Sequence, residues 1–360
     1  MGKRTPFFWG KREIRDARTG REIWQMTAGK ASSHSPYMYA RAFSHNEKYL
    51  LASSDRTGLF QMYRIDIETG EAVQLTDVEH YENMGLVVEH TGKEVYYVAG
   101  KQVRAVEIES GEERIITDLS GLHQDEPLYP RPCIRCDGKV VFLPYKRKDG
   151  RMCLAMADAS GSKPETVYVF PFDKVSHPLC HPTDQDVITF VPPDRQNEFS
   201  LPPELRARAW KLNLATEEAE PFLVAPTGFR ATHEYWAPDG SRLYFHVKGV
   251  PDWFPASIAS MDKAGGEWQT HITSDSIKLG HSAINRSQTH IVGDSQQAGS
   301  NELVLLDLAT SEYEVLCWPN ASGRPHPNHV HPNFSPSGNY VIYTSDVTGS
   351  AQVYLVPLHC

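Results

Sequence analysis

The sequence has few of the features that mark secreted or membrane proteins. Its 360 residues include only six cysteines, and their spacing matches no disulfide framework. Cys133 and Cys136 form a single Cys-x-x-Cys, without the second pair that a zinc site of this type needs. No apolar run approaches the length of a membrane span, and the three apolar residues 7–9 are too few for a signal-peptide core. We therefore expect reduced, mostly buried cysteines in a cytoplasmic protein with no membrane partner.

An excess of basic charge and a helical periodicity are missing as well. The formal net charge is −9, and the acidic residues are scattered rather than clustered. Nonspecific binding to nucleic acid requires a basic face, so we expect no nucleic-acid partner. Apolar residues make up 40% of the chain, which is enough for a full hydrophobic core.

The sequence does contain a repeat of short β-rich runs. Segments such as "PDGSRLYF", "HTGKEVYYV" and "PSGNYVIY" join a polar turn to an alternating apolar strand, the pattern of a β-hairpin. Comparable turns fall at positions 44, 90, 136, 182, 238, 285 and 336, so the units are 46 to 56 residues long. Seven four-stranded units of this length predict an all-β, seven-bladed β-propeller, formed as a single domain over residues 1–360.

The two ends of the chain are predicted to close this ring. The last unit, "FSPSGNYVIYTSDVTGSAQVYLVPL", ends one strand short, and the N-terminal "IRDARTGREIWQMTA" has the pattern of the missing outer strand. Closure removes exposed sheet edges and so protects the sheets from edge-to-edge aggregation. The longer fourth unit holds "PPDRQNEFSLPPELRARAW", which we expect to form a loop over one mouth of the channel.

The repeat aligns histidines that are far apart in the sequence. About five residues before each turn, at the start of the innermost strand, four of the seven units carry His177, His233, His281 and His331, and a fifth carries Arg131. Histidine accounts for only 16 of the 360 residues, so this alignment is improbable by chance. It predicts a basic, metal-competent ring around one mouth of the channel.

The segment "RPHPNHVHPNF" adds two more histidines to this ring. Residues i and i+2 of a strand point the same way, so His329 and His331 can share one ion. A bend at Pro327 brings His326 toward the same point, and His281 faces them from the neighbouring unit. Four imidazoles without cysteine suit a divalent cation such as Mn²⁺, Fe²⁺, Ni²⁺ or Zn²⁺. The alternative is that these are solvated loop histidines.

The remaining ring residues indicate chemistry on an anionic substrate. Imidazole is a suitable base at neutral pH, which makes His233 a candidate, and "RARAW" places Arg206 or Arg208 at the mouth. A metal, a base and an arginine together suit β-elimination from a uronic acid sugar, whose C5 proton lies beside a carboxylate. A glycoside hydrolase would need two positioned carboxylates, and Glu234 is predicted to face away from His233.

Other interpretations of the same residues stay open. His233 can instead hydrogen-bond to the backbone beside Trp236, and both arginines can be surface charges. A non-catalytic propeller that binds peptides or proteins is a second class, and a metal-dependent hydrolase or lactonase is a third. Propellers of the third kind that bind calcium favour carboxylate ligands, whereas this ring offers imidazoles.

Two segments of the chain resemble those of a known family. "THEYWAPDG" is similar to the THEFW-x-PDG of the oligogalacturonate lyases, and "HVHPNFSPSGNYVIYTSD" is similar to their HPHPSFTPD…VLFTSD. Members of this family are intracellular seven-bladed propellers that split short pectin fragments with Mn²⁺. The resemblance extends over nearly the whole chain at low identity. It implies a carbon–oxygen lyase that cleaves short oligogalacturonides, such as saturated or unsaturated digalacturonate, as a monomer or homodimer.

The resemblance also implies roles for individual residues. It makes His233 the catalytic base and, through the similarity of "RARAW" to the family's ARMW, Arg208 the transition-state arginine. It assigns the metal to His281 of "GHSAIN" and to His329 and His331, while His326 stands where the family has a glutamine ligand. The implied metal is Mn²⁺.

Further similar segments imply contacts with the sugar. "SHSPYMYARAF" and "SHPLCHPTD" point to His34 and His177 as substrate-binding residues, and we add Arg131 from the ring. The family's CHEG segment is replaced here by residues 191–194, so the identity of the sugar stays open. A lyase for another uronate disaccharide, for example one that contains glucuronate, is therefore an alternative.

Overall fold

The computed structural model describes residues 3–123, 131–266, 268–296, 301–325 and 328–358. In these ranges the chain forms thirty β-strands and one 3-10 helix, Pro203–Arg206. Their strands assemble into seven antiparallel sheets of four or five strands, each built from one unit of the repeat. The predicted all-β, seven-bladed propeller is confirmed. Within the described ranges, no helix has the length and apolar character needed to cross a membrane.

The strands of each blade follow one another outward from the channel. Strands β1 (Phe7–Phe8), β2 (Arg12–Arg15) and β3 (Glu22–Gln25) precede the first blade. Blade 1 is formed by β4 (Ser33–His34), β5 (Tyr49–Ser54), β6 (Gln61–Asp66) and β7 (Glu71–Gln74). Blade 2 is formed by β8 (Val87–Val88), β9 (Glu94–Ala99), β10 (Gln102–Glu107) and β11 (Glu113–Asp118). Blade 3 is formed by β12 (Cys133–Ile134), β13 (Val140–Lys146), β14 (Met152–Asp158) and β15 (Glu165–Val169).

The other four blades repeat this order. Blade 4 is formed by β16 (Ser176–Cys180), β17 (Val187–Val191), β18 (Ala209–Asn213) and β19 (Glu218–Leu223). Blade 5 is formed by β20 (Phe229–Trp236), β21 (Arg242–Gly249), β22 (Trp253–Asp262) and β23 (Trp268–Ser274). Blade 6 is formed by β24 (Leu279–Ile284), β25 (His290–Ser295), β26 (Leu303–Asp307) and β27 (Tyr313–Cys317). Blade 7 is formed by β28 (Asn333–Phe334), β29 (Tyr340–Ser345) and β30 (Gln352–Pro357).

The N-terminal strands close the ring as predicted. β3 pairs with β30, with Trp24 opposite Leu355, and so supplies the fourth strand of blade 7. The structure adds two strands that the repeat did not predict. β2 continues the β2–β3 hairpin as a fifth strand of blade 7, and β1 pairs with β7 as a fifth strand of blade 1.

The core lies between the blades, where the apolar faces of adjacent sheets meet. One buried cluster joins blades 1 and 7 through residues that include Leu50, Tyr63, Val353 and Leu355. Each such side chain stabilises the fold by about 1.5–3 kcal/mol when fully buried. The five cysteines in the described ranges are all free, and three of them are buried, as predicted. Burial raises the pKa of Cys317 to about 12, so this thiol stays protonated.

The inner strands of blades 4, 5 and 6 each depart from regular pairing at one point. The register shifts between Ser176 and Leu179 and between Thr232 and Tyr235, and an equivalent shift occurs in β24. Such bulges re-aim side chains and are frequent beside functional sites. His177 and His233 lie at two of these bulges with left-handed φ values of 51° and 55°, which cost roughly 1 kcal/mol or more for a residue other than glycine.

Candidate metal centre and active site

Three of the predicted metal-binding histidines converge at one mouth of the channel. One ring nitrogen from each of His281, His329 and His331 lies within 4.8 Å of the others. The ring centroids of His281 and His331 are 4.3 Å apart, and His329 lies 5.4 Å and 5.2 Å from them. His281 and His331 are buried, whereas His329 is half-buried. This spacing is compatible with one shared ion.

Asp294 of β25 orients His281. Its carboxylate accepts a 2.9 Å hydrogen bond from Nδ1 of His281 and a 2.6 Å bond from the backbone N–H of the same residue. Burial alone would raise the pKa of Asp294, but the adjacent imidazole and these hydrogen bonds hold it below its usual value. An ionised Asp294 keeps the proton on Nδ1, so the lone pair of His281 is on Nε2, toward the other histidines.

Gln296 also reaches His281. Its Nε2 lies 3.1 Å from Nε2 of His281, and a carboxamide at this place can donate through nitrogen or accept through oxygen. The side chain passes over Gly280, where an added β-carbon would lie 2.1 Å from Cγ of Gln296. Glycine at position 280 is therefore required for Gln296 to reach the centre.

His233 lies beside the three histidines. Its ring centroid is 4.4 Å from that of His281 and 5.9 Å from that of His246, which donates or accepts a 2.7 Å hydrogen bond with Ser282. Burial, the neighbouring imidazoles and the cations Arg208 and Lys248 hold the pKa of His233 well below 6.5. At neutral pH His233 is therefore uncharged and can accept a proton.

Arg208 is held by the residue that follows His233. Nε of Arg208 donates to Oε2 of Glu234 at 2.8 Å, and a longer contact of 3.4 Å joins Nη2 to Oε1. Glu234 is only 1% exposed in this ion pair. The sequence left Arg206 and Arg208 as alternatives. Nε of Arg206 donates to the carbonyl of Leu201, so Arg208 is the arginine near His233.

Arg131 and His177 are connected to the histidines through two tyrosines. The guanidinium of Arg131 lies 3.6 Å from the ring centroid of Tyr37, and Tyr37 contacts His331 at 4.7 Å. His177 packs against Tyr39 at 5.8 Å. The structure thus places both predicted substrate-binding residues next to the centre but behind Tyr37 and Tyr39, which the sequence analysis did not single out.

The channel itself contains a cavity of about 320 Å³. Residues from the inner strands of all seven blades line it, among them Tyr39, Arg131 and His177. The three converging histidines are not part of this lining. Arg131 and His177 therefore border this cavity, and Tyr37 contacts both His177 and His331.

One predicted site residue, His34, makes its described contacts away from the centre. His34 is buried in β4, where its Nδ1 contacts the carbonyl of Ser35 at 3.0 Å and its ring packs on Phe60. Burial lowers the pKa of His34 to about 4. Among the described residues, the contacts of the His34 imidazole therefore do not include the histidines at the mouth of the channel. His326 lies outside the described residues.

Several residues of the site were missed by the sequence analysis. They share a position beside the ring, on an inner or second strand or on a segment that adjoins one, and they are Tyr37, Tyr39, His246, Lys248, Asp294 and Gln296. The sequence analysis named Glu234 only as a residue that faces away from His233, not as the partner of Arg208. The hairpin pairing was a usable signal for Asp294 and Gln296, because β25 runs back along β24 past His281. No comparable signal marked Lys248 in the sequence.

The fold and the site together define a class: a seven-bladed β-propeller with a histidine-lined candidate metal centre at one mouth of its channel. The chain is 23% identical to the oligogalacturonate lyase of Dickeya dadantii (strain 3937), over 94% of each chain. It is 24% identical to the oligogalacturonide lyase of Pectobacterium atrosepticum, again over 94% of each chain. No family model matches the chain.

Solved structures give the same relationship at the level of the fold. An oligogalacturonate lyase in complex with manganese superposes with a TM-score of 0.87 and 21% identity, covering 100% of this chain and 99% of that one. The oligogalacturonate lyase of Vibrio parahaemolyticus has a TM-score of 0.86 and 21% identity, with 99% of each chain covered. The resemblance identified in the sequence is confirmed: the chain is similar to proteins named oligogalacturonate lyases over nearly its whole length.

Proposed function

We propose that the protein is a metal-dependent lyase that cleaves short oligogalacturonides by β-elimination. One observation carries the proposal: the cluster of His281, His329 and His331 lies directly beside a neutral His233 and the Arg208–Glu234 pair. The names of the relatives support this activity and this class of substrate.

The donor set fits a divalent cation. Three imidazole nitrogens lie within 4.8 Å of one another, and Asp294 already fixes the tautomer of His281. Mn²⁺ is bound by the oligogalacturonate lyase with a similar fold, and Fe²⁺, Ni²⁺ and Zn²⁺ accept the same ligands. His326 remains a proposed fourth ligand. A bound cation supplies positive charge for the uronate carboxylate, which makes the C5 proton more acidic.

His233 and Arg208 have distinct parts in the proposed reaction. Neutral His233 removes the C5 proton, the electron pair forms a C4=C5 double bond, and the C4–O bond breaks. The departing oxygen takes a proton from water, and the hydroxide formed takes the proton held by His233, which restores the neutral base. The products are an unsaturated uronate and a shortened sugar. The guanidinium of Arg208 stabilises negative charge that builds on the carboxylate side, and Glu234 holds the guanidinium in place.

The identity of the sugar has a second candidate. Asp194, in the segment that replaces the family's CHEG, forms an ion pair with Arg230 at the start of β20. This segment therefore contributes to the surroundings of the site and favours testing other uronate disaccharides. We also propose a small soluble uronate as the only substrate partner, and a cytoplasmic monomer or homodimer remains a prediction.

The activity is tested with purified protein and digalacturonate. The ultraviolet absorbance of the conjugated product is followed with Mn²⁺, with a chelator, and after Mn²⁺ is restored. We expect product only in the first and third conditions. Disaccharides that contain glucuronate are run in parallel, and turnover of these alone would favour the second candidate. Absence of product from every uronate, with Mn²⁺ present, would contradict the proposal.

A further inference from the structure

Two cations face each other across the first two strands of blade 5. Arg230 of β20 is the direct ladder partner of Lys248 of β21. Like charges in directly opposite positions destabilise an antiparallel pair. The contact between Arg230 and Lys248 therefore does not stabilise this sheet. A role in binding an anion would explain why two cations occupy these positions.

Among the described cations near His233, Lys248 is the one without a carboxylate partner. Arg208 is paired with Glu234, and Arg230 is paired with Asp194. Within the part of the chain that the structure describes, no carboxylate oxygen lies within 4.0 Å of Nζ of Lys248. Its ammonium instead lies 3.4 Å from the ring centroid of Trp253. The cluster of Arg208, Arg230 and Lys248 thus carries one positive charge more than its carboxylates neutralise.

The charge on Lys248 is unfavourable in its surroundings. Lys248 is half-buried, and burial together with Arg230 and Arg208 lowers its pKa to about 8, against the opposite effect of Asp194. An anion placed against this ammonium would relieve the repulsion and recover part of the lost solvation.

Lys248 is also close to the proposed catalytic base. The Arg230–Lys248 pair lies two residues from the Thr232–His246 pair, where the bulge that carries His233 begins. Two residues of strand correspond to about 7 Å. The charge of Lys248 contributes to the lowered pKa of His233, which is consistent with this proximity. In an oligouronate, the sugar adjoining the reacting one presents a second carboxylate.

We propose that Lys248 and Arg230 form a subsite for the carboxylate of the sugar next to the one that loses its proton, with Trp253 as its apolar wall. The inference rests on the proposed function and deepens it. It makes the enzyme selective for substrates in which both sugars carry a free carboxylate.

The test compares Lys248→Gln with the wild-type protein on two substrates: digalacturonate, and digalacturonate methyl-esterified on the sugar that does not lose its proton. We expect the substitution to raise KM for digalacturonate on the order of tenfold, the value of a charge-assisted contact, with little change in kcat. The wild-type protein should prefer the free acid, whereas the variant should treat both substrates alike. An unchanged KM and an unchanged preference for the acid would overturn the subsite.

A matched control and a second variant separate binding from folding. Lys211 also lies over an aromatic ring, that of Phe222, but it is paired with Glu220 at 2.8 Å. Lys211→Gln should leave KM unchanged. Arg230→Gln should raise KM in the same direction as Lys248→Gln, so the inference stays testable even where one variant fails to fold.

Direct binding distinguishes failure of the subsite from failure of the proposed function. Titration with digalacturonate is followed by tryptophan fluorescence, with Trp253→Phe to identify the signal of that ring. Binding that depends on Lys248 without turnover would uphold the subsite and reject the lyase. Turnover with binding independent of Lys248 would reject the subsite alone. If neither binding nor turnover is detected with any uronate disaccharide tested, the subsite and the proposed function are both rejected.

Discussion

Blades 5 and 2 are built from the same repeat but differ in what they carry. The inner strand of blade 2, β8, has two residues, whereas β20 of blade 5 has eight. The ring position is Gly85 in blade 2 and His233, at a bulge, in blade 5. The longer strands of blade 5 also carry Arg230 and Lys248, which pair with each other two residues beyond the Thr232–His246 pair. Blades 5 and 2 thus share their strand order but differ in strand length and in the side chain at the ring position.

His233→Ala should have the largest effect on activity, because it removes the proposed base that distinguishes blade 5 from blade 2. Loss of a general base lowers kcat/KM on the order of 10³-fold. Metal analysis of the same sample should show an unchanged content, because His281, His329 and His331 remain. The structural imidazole of His271, bonded to Ser260 in the outer half of blade 5, provides the control.

His271→Gln should keep nearly full turnover. Loss of bound metal in His233→Ala, or wild-type turnover by it, would mean that His233 is not the base. His331→Ala should instead lose the metal and the activity together.

Glu234→Gln should have the next largest effect, on stability as well as rate. Removing one partner of a buried ion pair leaves an uncompensated charge and lowers the free energy of unfolding by about 3 kcal/mol. Urea denaturation measures this change, and kcat should fall because Arg208 is no longer held. Asp194→Asn breaks the more exposed pair with Arg230 and should cost about 1 kcal/mol or less. Equal losses of stability in Glu234→Gln and Asp194→Asn would show that the buried pair contributes no more than the exposed one.

Asp294→Asn tests the other side of the site, where blade 6 orients His281. Loss of the carboxylate partner of a metal-binding imidazole typically lowers metal affinity about 10- to 100-fold. A chelator first removes the metal from the protein. Calorimetric titration with Mn²⁺ then gives the affinity. Asp307 lies 3.8 Å from His290 on the same blade, in an exposed pair. Asp307→Asn should therefore bind Mn²⁺ as the wild type does, and a similar loss in both would exclude a specific role for Asp294.

The smallest expected effect is on pH dependence. Lys248 faces Arg230, Arg208, Asp194 and His233, and its pKa is lowered to about 8. A carboxylate binds the protonated amine, so the affinity for digalacturonate should be complete below pH 8 and decrease as the pH rises above it. KM measured between about pH 7 and about pH 9.5 shows this decrease. The decrease should be absent in Lys248→Gln, and its persistence there would assign it to another group.

The sequence predicted the fold more completely than the site. The period of the turns is a property of every blade, so the ring, its closure and the common depth of His233, His281 and His331 could be derived from spacing. His329 followed from its i, i+2 relation to His331. The fifth strands could not, because β1 pairs with β7, which is more than 60 residues away in the sequence, and β2 joins blade 7 only through its hairpin with β3. The Arg208–Glu234 pair depends on a bulge that strict alternation of side chains does not predict.

Individual residues show the same limit. His34 has the sequence context of a site residue, but β4 directs it into the core against Phe60. Lys248 has an ordinary context, a strand lysine near a turn, and becomes unusual only through its ladder partner Arg230. Cross-strand neighbours decide both cases, and they are fixed by the three-dimensional pairing.

The closure of blade 7 by β3 has a consequence for biogenesis. His329 and His331 precede β28, and the outer half of that blade is supplied by the first residues of the chain. A nascent chain that emerges from the ribosome N-terminus first therefore holds β3 paired with β2 alone until β30 has been translated. The three-histidine centre is accordingly among the last parts to assemble, and a chain that stops early cannot assemble it.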